Sequence, residues 1–318
     1  MLAKIMLLPS SSKGKTLCSY AEELFLEISA SFGHSLNTVR EKIGEDSLRL
    51  FDAPLTQETV DACKKCSAVF LADADCPGSK ELYRALGIPI RVRSFVVPGA
   101  LGAEDVPARN WYMAQAAALD ADTVFSAVRQ AVQLANDAEL PFSHVSPTGN
   151  NRFTWEAHVK ETLKKYPALS FTALSGPDAA RKIVESPYTL GVLLCPPYAG
   201  GILESAATSL FPYPGIQYDF GLLEEKGVYA PRMVTDANDI PQPFGTAYAI
   251  ARMLRESLHL HREAACLEAA IHNVLVSGWR SPGMAAPGQA TDGSHIIQLI
   301  CEQLSVAGEL INKGSDRP

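Results

Sequence analysis

Short, largely apolar runs alternate with stretches of helical period from the start of this chain, and that alternation limits its fold more than any other feature. Lys4–Leu8 and Ala68–Ala72 read as buried strands, and Ile90–Val97, which carries Arg91, Arg93 and Ser94, reads as a further strand that ends at Pro98-Gly99. Between them, Thr16–Ser31 sets Leu17, Tyr20, Leu24, Phe25 and Ile28 on one helical face. Val39–Ile43 is weakly strand-like, Pro54–Cys66 is a helix with Thr56 as N-cap, and Lys80–Leu86 is a helix stopped by Gly87. Strands joined by crossover helices predict an α/β fold with a largely parallel sheet. The pattern goes on with helices over Asp122–Glu139, Thr154–Lys165 and Asp178–Glu185, and strands over Ser170–Leu174 and Leu190–Leu194. After Gly245 the chain reads as helix: Thr246–Leu258, Arg262–Val276 and Ile296–Ile311.

The 318 residues suggest two domains. A net charge of −7 argues against non-specific nucleic-acid binding, which needs a basic surface. No window nears the roughly 20 apolar residues of a membrane span. The opening MLAKIMLLP is too short an apolar run for a signal peptide and is broken by Pro9, so a cytoplasmic, soluble protein is expected. Seven scattered cysteines are not a disulfide framework. Cys63 and Cys66 form a C-x-x-C with no second pair or histidine at metal spacing, and read as plain helix cysteines. The seven histidines read as structural or solvated.

Two segments invite chemistry. The first runs from strand Lys4–Leu8 through Pro9-Ser-Ser-Ser-Lys-Gly-Lys-Thr16 into a helix, one residue short of a G-x-x-x-x-G-K-T phosphate loop. Pro9 stands at the first glycine, removing an amide and fixing φ. Lys13, Gly14, Lys15 and Thr16 could still hold an anion at a helix N-terminus; the plainer alternative is solvated lysines on a polar loop. The second segment, Thr189–Leu210, reads as a buried strand, a tight Pro/Gly loop and a short helix.

The stretch FDAPLTQETVDACKKCSAVFLADADCPGSKELYRALGIPIRVRSFVVPGA (residues 51–100) is followed later by VYAPRMVTDANDIPQPFGTAYAIARMLRESL and AAIHNVLVSGWRSPGMAAPG. In this order they resemble the isocitrate and isopropylmalate dehydrogenases, the β-decarboxylating 2-hydroxy-acid dehydrogenases. The resemblance covers most of the chain. It implies a three-layer α/β/α fold of two domains, the N- and C-terminal segments (residues 1–98 and 219–318) sharing the cofactor-side domain and residues 99–218 forming a second domain that dimerises. It implies a homodimer and NAD.

The resemblance also assigns residues. Arg91 and Arg93 fall where the family begins its substrate-binding arginines; an edge arginine in an ion pair is the alternative. Asp239 and Ile240 match the end of the family's adenosine loop, and Gln242 stands in for its asparagine. The family's metal carboxylates fall on Pro177, Gly201 and Ser205, with Asp178 and Glu204 each one residue away. One residue turns a helix by about 100°, so neither acid would aim at the same Mg²⁺, which tolerates misplaced ligands poorly. Both acids are read instead as first-turn residues that favour the helix dipole. No lysine lies near Val145–Thr148, where the family has its catalytic one, and nothing places Arg109 or Tyr112 in register with the family's further arginine and catalytic tyrosine. The metal and acid–base groups are therefore expected to be lost, leaving a non-catalytic homologue that binds a small anionic ligand or nucleotide. The alternatives are an active NAD(P)-dependent oxidoreductase on a small 2-hydroxy acid, using Asp178, Glu204 and Arg91, and a phosphate or nucleotide protein built on Ser10–Thr16.

Overall fold

A computed structural model describes residues 1–101, 109–223, 226–232, 242–282, 284 and 289–315. The chain begins with β1 (Leu2–Leu8), α1 (Ser12–Phe32), β2 (Ser35–Arg40), α2 (Glu45–Phe51), α3 (Gln57–Lys64), β3 (Ala68–Leu71) and α4 (Ser79–Ala85). The middle runs β4 (Ile90–Val97), β5 (Arg109–Ala116), α5 (Ala121–Asp137), β6 (Phe142–Val145), α6 (Asn151–Leu163), β7 (Phe171–Leu174), α7 (Gly176–Glu185), β8 (Val192–Cys195) and α8 (Pro197–Leu210). The remainder is β9 (Tyr218–Leu223), β10 (Lys226–Pro231), α9 (Pro243–Glu256), α10 (His261–Val276) and α11 (Gly293–Ser315).

Two compact units result. One comprises Met1–Leu86, Pro98–Ala103 and Tyr213–Pro318; the other comprises Gly87–Val97 and Glu104–Pro212. Both chain termini thus share a unit. The contacts differ from the sequence boundaries at β4, which groups with the middle of the chain because all eight of its residues, Ile90 to Val97, pair with β5.

In the first unit the strands lie in the order β2-β1-β3-β10-β9. All neighbours are parallel except the β9–β10 pair. The second half of β1, Ile5 to Leu8, and all of β3 are buried, which is what helices on a parallel sheet require. Helix α1 packs on α11 and α9, and α10 packs on α9 and α11. Cys63 lies buried in α3 and Cys66 just beyond it, and burial pushes the Cys63 thiol up to about 12, as expected of inert packing residues.

In the second unit the order is β4-β5-β8-β6-β7, parallel except for β4–β5. Phe95, Trp111 and Phe211 form an aromatic cluster, with Phe95 stacked on Trp111 at 4.2 Å between ring centroids. Trp155 is wholly buried under α6.

Several local expectations shift. β2 lies at Ser35–Arg40 rather than over residues 39–43, and α1 begins four residues earlier than its apolar stripe, at Ser12. β5, β6, β9, β10 and α2 were not anticipated.

Candidate functional site

The residues singled out by chemistry gather at three places, one in the second unit and two in the first. In the second unit, alternation along β4 sends Arg91 and Arg93 to one face of the sheet. Strand β5 lies beside them, and its Gln115 pairs with Arg91. The Gln115 amide donates to the Pro197 carbonyl at the start of α8. A Cβ on Gly200 would stand 2.8 Å from Gln115 Cγ, so the glycine lets helix and strand approach. Proline at the first helical positions is compatible with helix, and the expected Pro/Gly loop is the first turn of α8 itself.

That earlier start moves Glu204 away from the helix N-terminus. It is the eighth residue of α8, which corrects its reading as a first-turn acid. Its carboxylate receives two hydrogen bonds from Arg91 Nη2, each 2.9 Å, and lies 2.5 Å from Arg93 Nη1. The side chains of Arg91, Arg93 and Glu204 are 16%, 2% and 9% exposed. This is a buried Arg–Glu–Arg cluster, in which both guanidiniums spend hydrogen bonds on the carboxylate. It falls between the two sequence readings of the arginines: they form an ion pair, but one nearly sealed from water.

Asp178 lies at the third position of α7. Ser175 caps the helix by accepting from the Asp178 amide at 3.2 Å, and its hydroxyl donates to Asp178 Oδ2 at 2.6 Å. Arg181 adds a 3.2 Å ion pair. The Ser175 hydroxyl, and then Arg181, hold this carboxyl below its usual range. Asp178 is therefore a capping residue at the surface, as read from the sequence. Gly201 and Ser205 carry no acid, and the Ser205 hydroxyl donates back to the Gly201 carbonyl at 3.0 Å. Among the described residues no group of three or more His, Cys, Asp or Glu could hold a metal ion. Neither Glu204 nor Asp178 is arranged for Mg²⁺: the first is clasped by two arginines and the second is tied into a helix cap. His144, read as structural or solvated, lies deep in this unit and accepts the Trp155 indole N–H at Nδ1, 3.2 Å away. The signal that could have marked it is its place on a four-residue strand, FSHV, with no exposed position.

In the first unit, the would-be phosphate loop is short. α1 begins at Ser12, so Lys13, Gly14, Lys15 and Thr16 are helical. Ser11 is the N-cap and accepts from the Gly14 amide at 3.2 Å; the Lys15 amide donates to the Ser11 carbonyl at 3.1 Å. Both amides are spent inside the helix. Lys15 Nζ pairs with Asp46 at 3.0 Å, beside the Arg49–Asp46 pair at 2.8 Å. A Cβ on Gly14 would lie 3.1 Å from Ser10 Oγ and 3.2 Å from Ala72 Cβ, so packing accounts for this glycine.

At the third place, Gln242 precedes α9 and is fully buried. Its Oε1 accepts from Ser281 Oγ at 3.3 Å, and a Cβ on Gly215 would come within 2.5 Å of the same atom. The oxygen side of this amide is thus taken up by packing against Ser281 and Gly215. Asp239 and Ile240 lie outside the described residues.

No family model matches the chain. It is similar to the 3-isopropylmalate dehydrogenase of Thermotoga maritima, 26% identical over 95% of this chain and 99% of that one. It is also similar to the 3-isopropylmalate dehydrogenase of Clostridium pasteurianum, 24% identical over 95% of this chain and 99% of the other. Among solved structures, the isocitrate dehydrogenase of Methylococcus capsulatus superposes with a TM-score of 0.80 at 18% identity, covering 96% of this chain and 100% of that one. A β-decarboxylating dehydrogenase of Thermococcus kodakarensis gives 0.77 at 16% identity, covering 100% and 99%. The expected two-domain dehydrogenase fold is the fold observed.

Proposed function

We propose, from the premise that this chain is a divergent member of the isocitrate and isopropylmalate dehydrogenase family, that it is a non-catalytic homodimeric homologue which binds a small anionic ligand. One observation carries the reading. Glu204, the acid of α8 near the family's metal positions, is clasped by the two arginines that the family would turn toward substrate. Oxidative decarboxylation needs a metal to stabilise enolate-like charge, worth several kcal/mol, and an acid–base pair worth about 10²–10⁴-fold. A carboxylate neutralised by Arg91 and Arg93 supplies neither. An anionic ligand at Arg91 would compete with Glu204 for its guanidinium, which keeps 16% of its side-chain surface open.

The homodimer draws support from α7 and α8, which pack on each other. α8 exposes Tyr198 and Ile202 one turn apart, 84% and 57%, and α7 exposes Val184, 66%. Exposed apolar side chains of this size on adjoining helices mark an association surface.

The test has two parts. Spectrophotometric assays with NAD or NADP, Mg²⁺ or Mn²⁺, and isopropylmalate, isocitrate or related 2-hydroxy acids should show no turnover. Thermal-shift titration with short di-acids should raise the midpoint without any metal. Metal-dependent reduction of NAD would overturn the reading in favour of the second one, a working NAD(P)-dependent oxidoreductase. That reading is favoured by the nearly full-length match to named dehydrogenases.

A further inference from the structure

Away from the Arg–Glu–Arg cluster, the second unit has a cavity of about 390 Å³ between α6 and the β6–β7 pair. Its origin is local. In the parallel register Phe142 faces Phe171 and His144 faces Ala173, so all four side chains point to the side of the sheet that α6 covers. α6 brings Val159 and Leu163, four residues apart on its buried stripe, over the strands. β7 is the last strand in its order and is largely exposed, so the cavity opens along that edge. Phe171 stands at the mouth, 58% exposed.

Three polar side chains line this apolar hollow: His144, Glu156 and Lys160. His144 is only 3% exposed. Its Nδ1 lies 3.2 Å from Trp155 Nε1. An indole N–H can only donate, so Nδ1 must be unprotonated and the ring proton sits on Nε2. Burial holds the ring's pKa below its usual value, which keeps it in this neutral form. Nε2–H makes no hydrogen bond among the described residues, yet the ring lines the cavity. Nε2 is not one of the fully buried unpaired polar atoms among the described residues, so water or a bound ligand can reach it and accept from it. Lys160 makes no ion pair among the described residues, whereas Glu156 is engaged by Arg152 Nε at 2.7 Å and Ser146 Oγ at 3.1 Å. The cavity therefore offers one unpaired donor, one available cation and apolar walls.

We propose that this cavity is a binding site for a small apolar carboxylate, aromatic or branched, whose carboxylate accepts from His144 Nε2–H and is balanced by Lys160 while its body lies against Val159, Leu163 and Phe171. The site is separate from the Arg–Glu–Arg cluster and does not depend on the function proposed above. A hollow of this size, mostly apolar with a few convergent polar groups, is the usual character of a small-molecule pocket.

The test uses the full chain, labelled with ¹⁵N, and phenylacetate as probe. The chain has three tryptophans, so three indole N–H resonances report, with that of Trp155 assigned by Trp155→Phe. Phenylacetate should shift the Trp155 resonance saturably, because a new acceptor on Nε2 strengthens Nδ1 as the acceptor for the indole. Phenylacetamide should bind more weakly, and phenethylamine should leave the resonance in place. Lys160→Met and Ala173→Leu both alter exposed positions, so both variants should fold. The first should weaken binding by roughly tenfold, the loss of one charge-assisted contact, and the second should abolish it by filling the hollow. His144→Phe should also abolish it. No saturable shift up to about 10 mM, a probe range reaching very weak affinity, would overturn the proposal. So would equal binding of the amine, or an unchanged affinity in both Lys160→Met and Ala173→Leu.

Discussion

Asp178 and Glu204 stand on two helices that pack on each other, and the sequence resemblance sets each one residue from an expected metal carboxylate. Their surroundings are opposite. Asp178 is half exposed and held by its own helix, through Ser175 and Arg181. Glu204 is 9% exposed and held by a strand 113 residues away in sequence. The first contact is local and screened by water; the second is non-local and nearly dry. The lesson is that two acids on adjoining helices can be absorbed by the fold in two ways. It can become a helix cap with little consequence for the rest of the fold. Or it can become the centre of a buried charge cluster on which the neighbouring strand comes to depend.

The sharpest way to break this contrast is Glu204→Ala. Removing the carboxylate leaves two buried guanidiniums without it, and a buried pair broken on one side costs about 3–5 kcal/mol. The urea midpoint should fall accordingly. A loss below about 1 kcal/mol would place Glu204 with surface ion pairs and erase the distinction. Next in size are the arginines. Arg93, 2% exposed, should cost about 3 kcal/mol when changed to Ala, whereas Arg91→Ala, where 16% of the side chain already meets water, should cost about half as much. Arg93→Lys should not rescue, since an ammonium cannot reproduce the planar fork. Equal losses at the two arginines would mean that burial does not set the scale. Ser175→Ala tests the other member of the contrast. It removes the cap of α7 and should cost about 1 kcal/mol in the same urea titration.

How much of this was legible in the sequence follows the same division between local and non-local. The cap at Thr56, the surface role of Asp178 and the alternation that puts Arg91 and Arg93 on one face of β4 are all written in neighbouring residues. Glu204 as their partner is not, because the meeting requires β4 to pair with β5 and α8 to lean on Gln115. β5 itself went unread since NWYMAQA neither alternates nor sits between turn residues. β9 and β10 are interrupted by Gly221 and Gly227, and β10 ends in Pro231, residues that usually argue against a strand. The helix α8 was started too late because Pro196-Pro197 and Gly200-Gly201 look like a loop, although proline suits a first turn and Gly200 is required for contact with β5. His144 had only its place on the short strand FSHV to mark it, which says little until Trp155 and the hollow beside it are in place.

The smallest effect belongs to Asp178 and is best seen through pH. Its carboxyl titrates lower in the folded chain than in the unfolded one, chiefly because Ser175 donates to the ionised form and secondarily because of Arg181. A depressed acid stabilises the fold above its unfolded pKa, about 3.9, and that contribution disappears as the pH falls through the folded value. Asp178→Asn should therefore melt slightly below wild type above about pH 4, where the ionised carboxyl contributes, and should lack one component of the wild-type decline in acid. The two melting curves should converge as both are taken down toward pH 2. Glu204→Gln should behave differently, with a large deficit across the neutral range, because the loss there is of charge compensation inside the protein and not of a solvated cap. If the two variants traced parallel curves of similar depth from pH 7 to pH 2, the two acids would share one environment, and the contrast drawn between helix cap and buried cluster would fail.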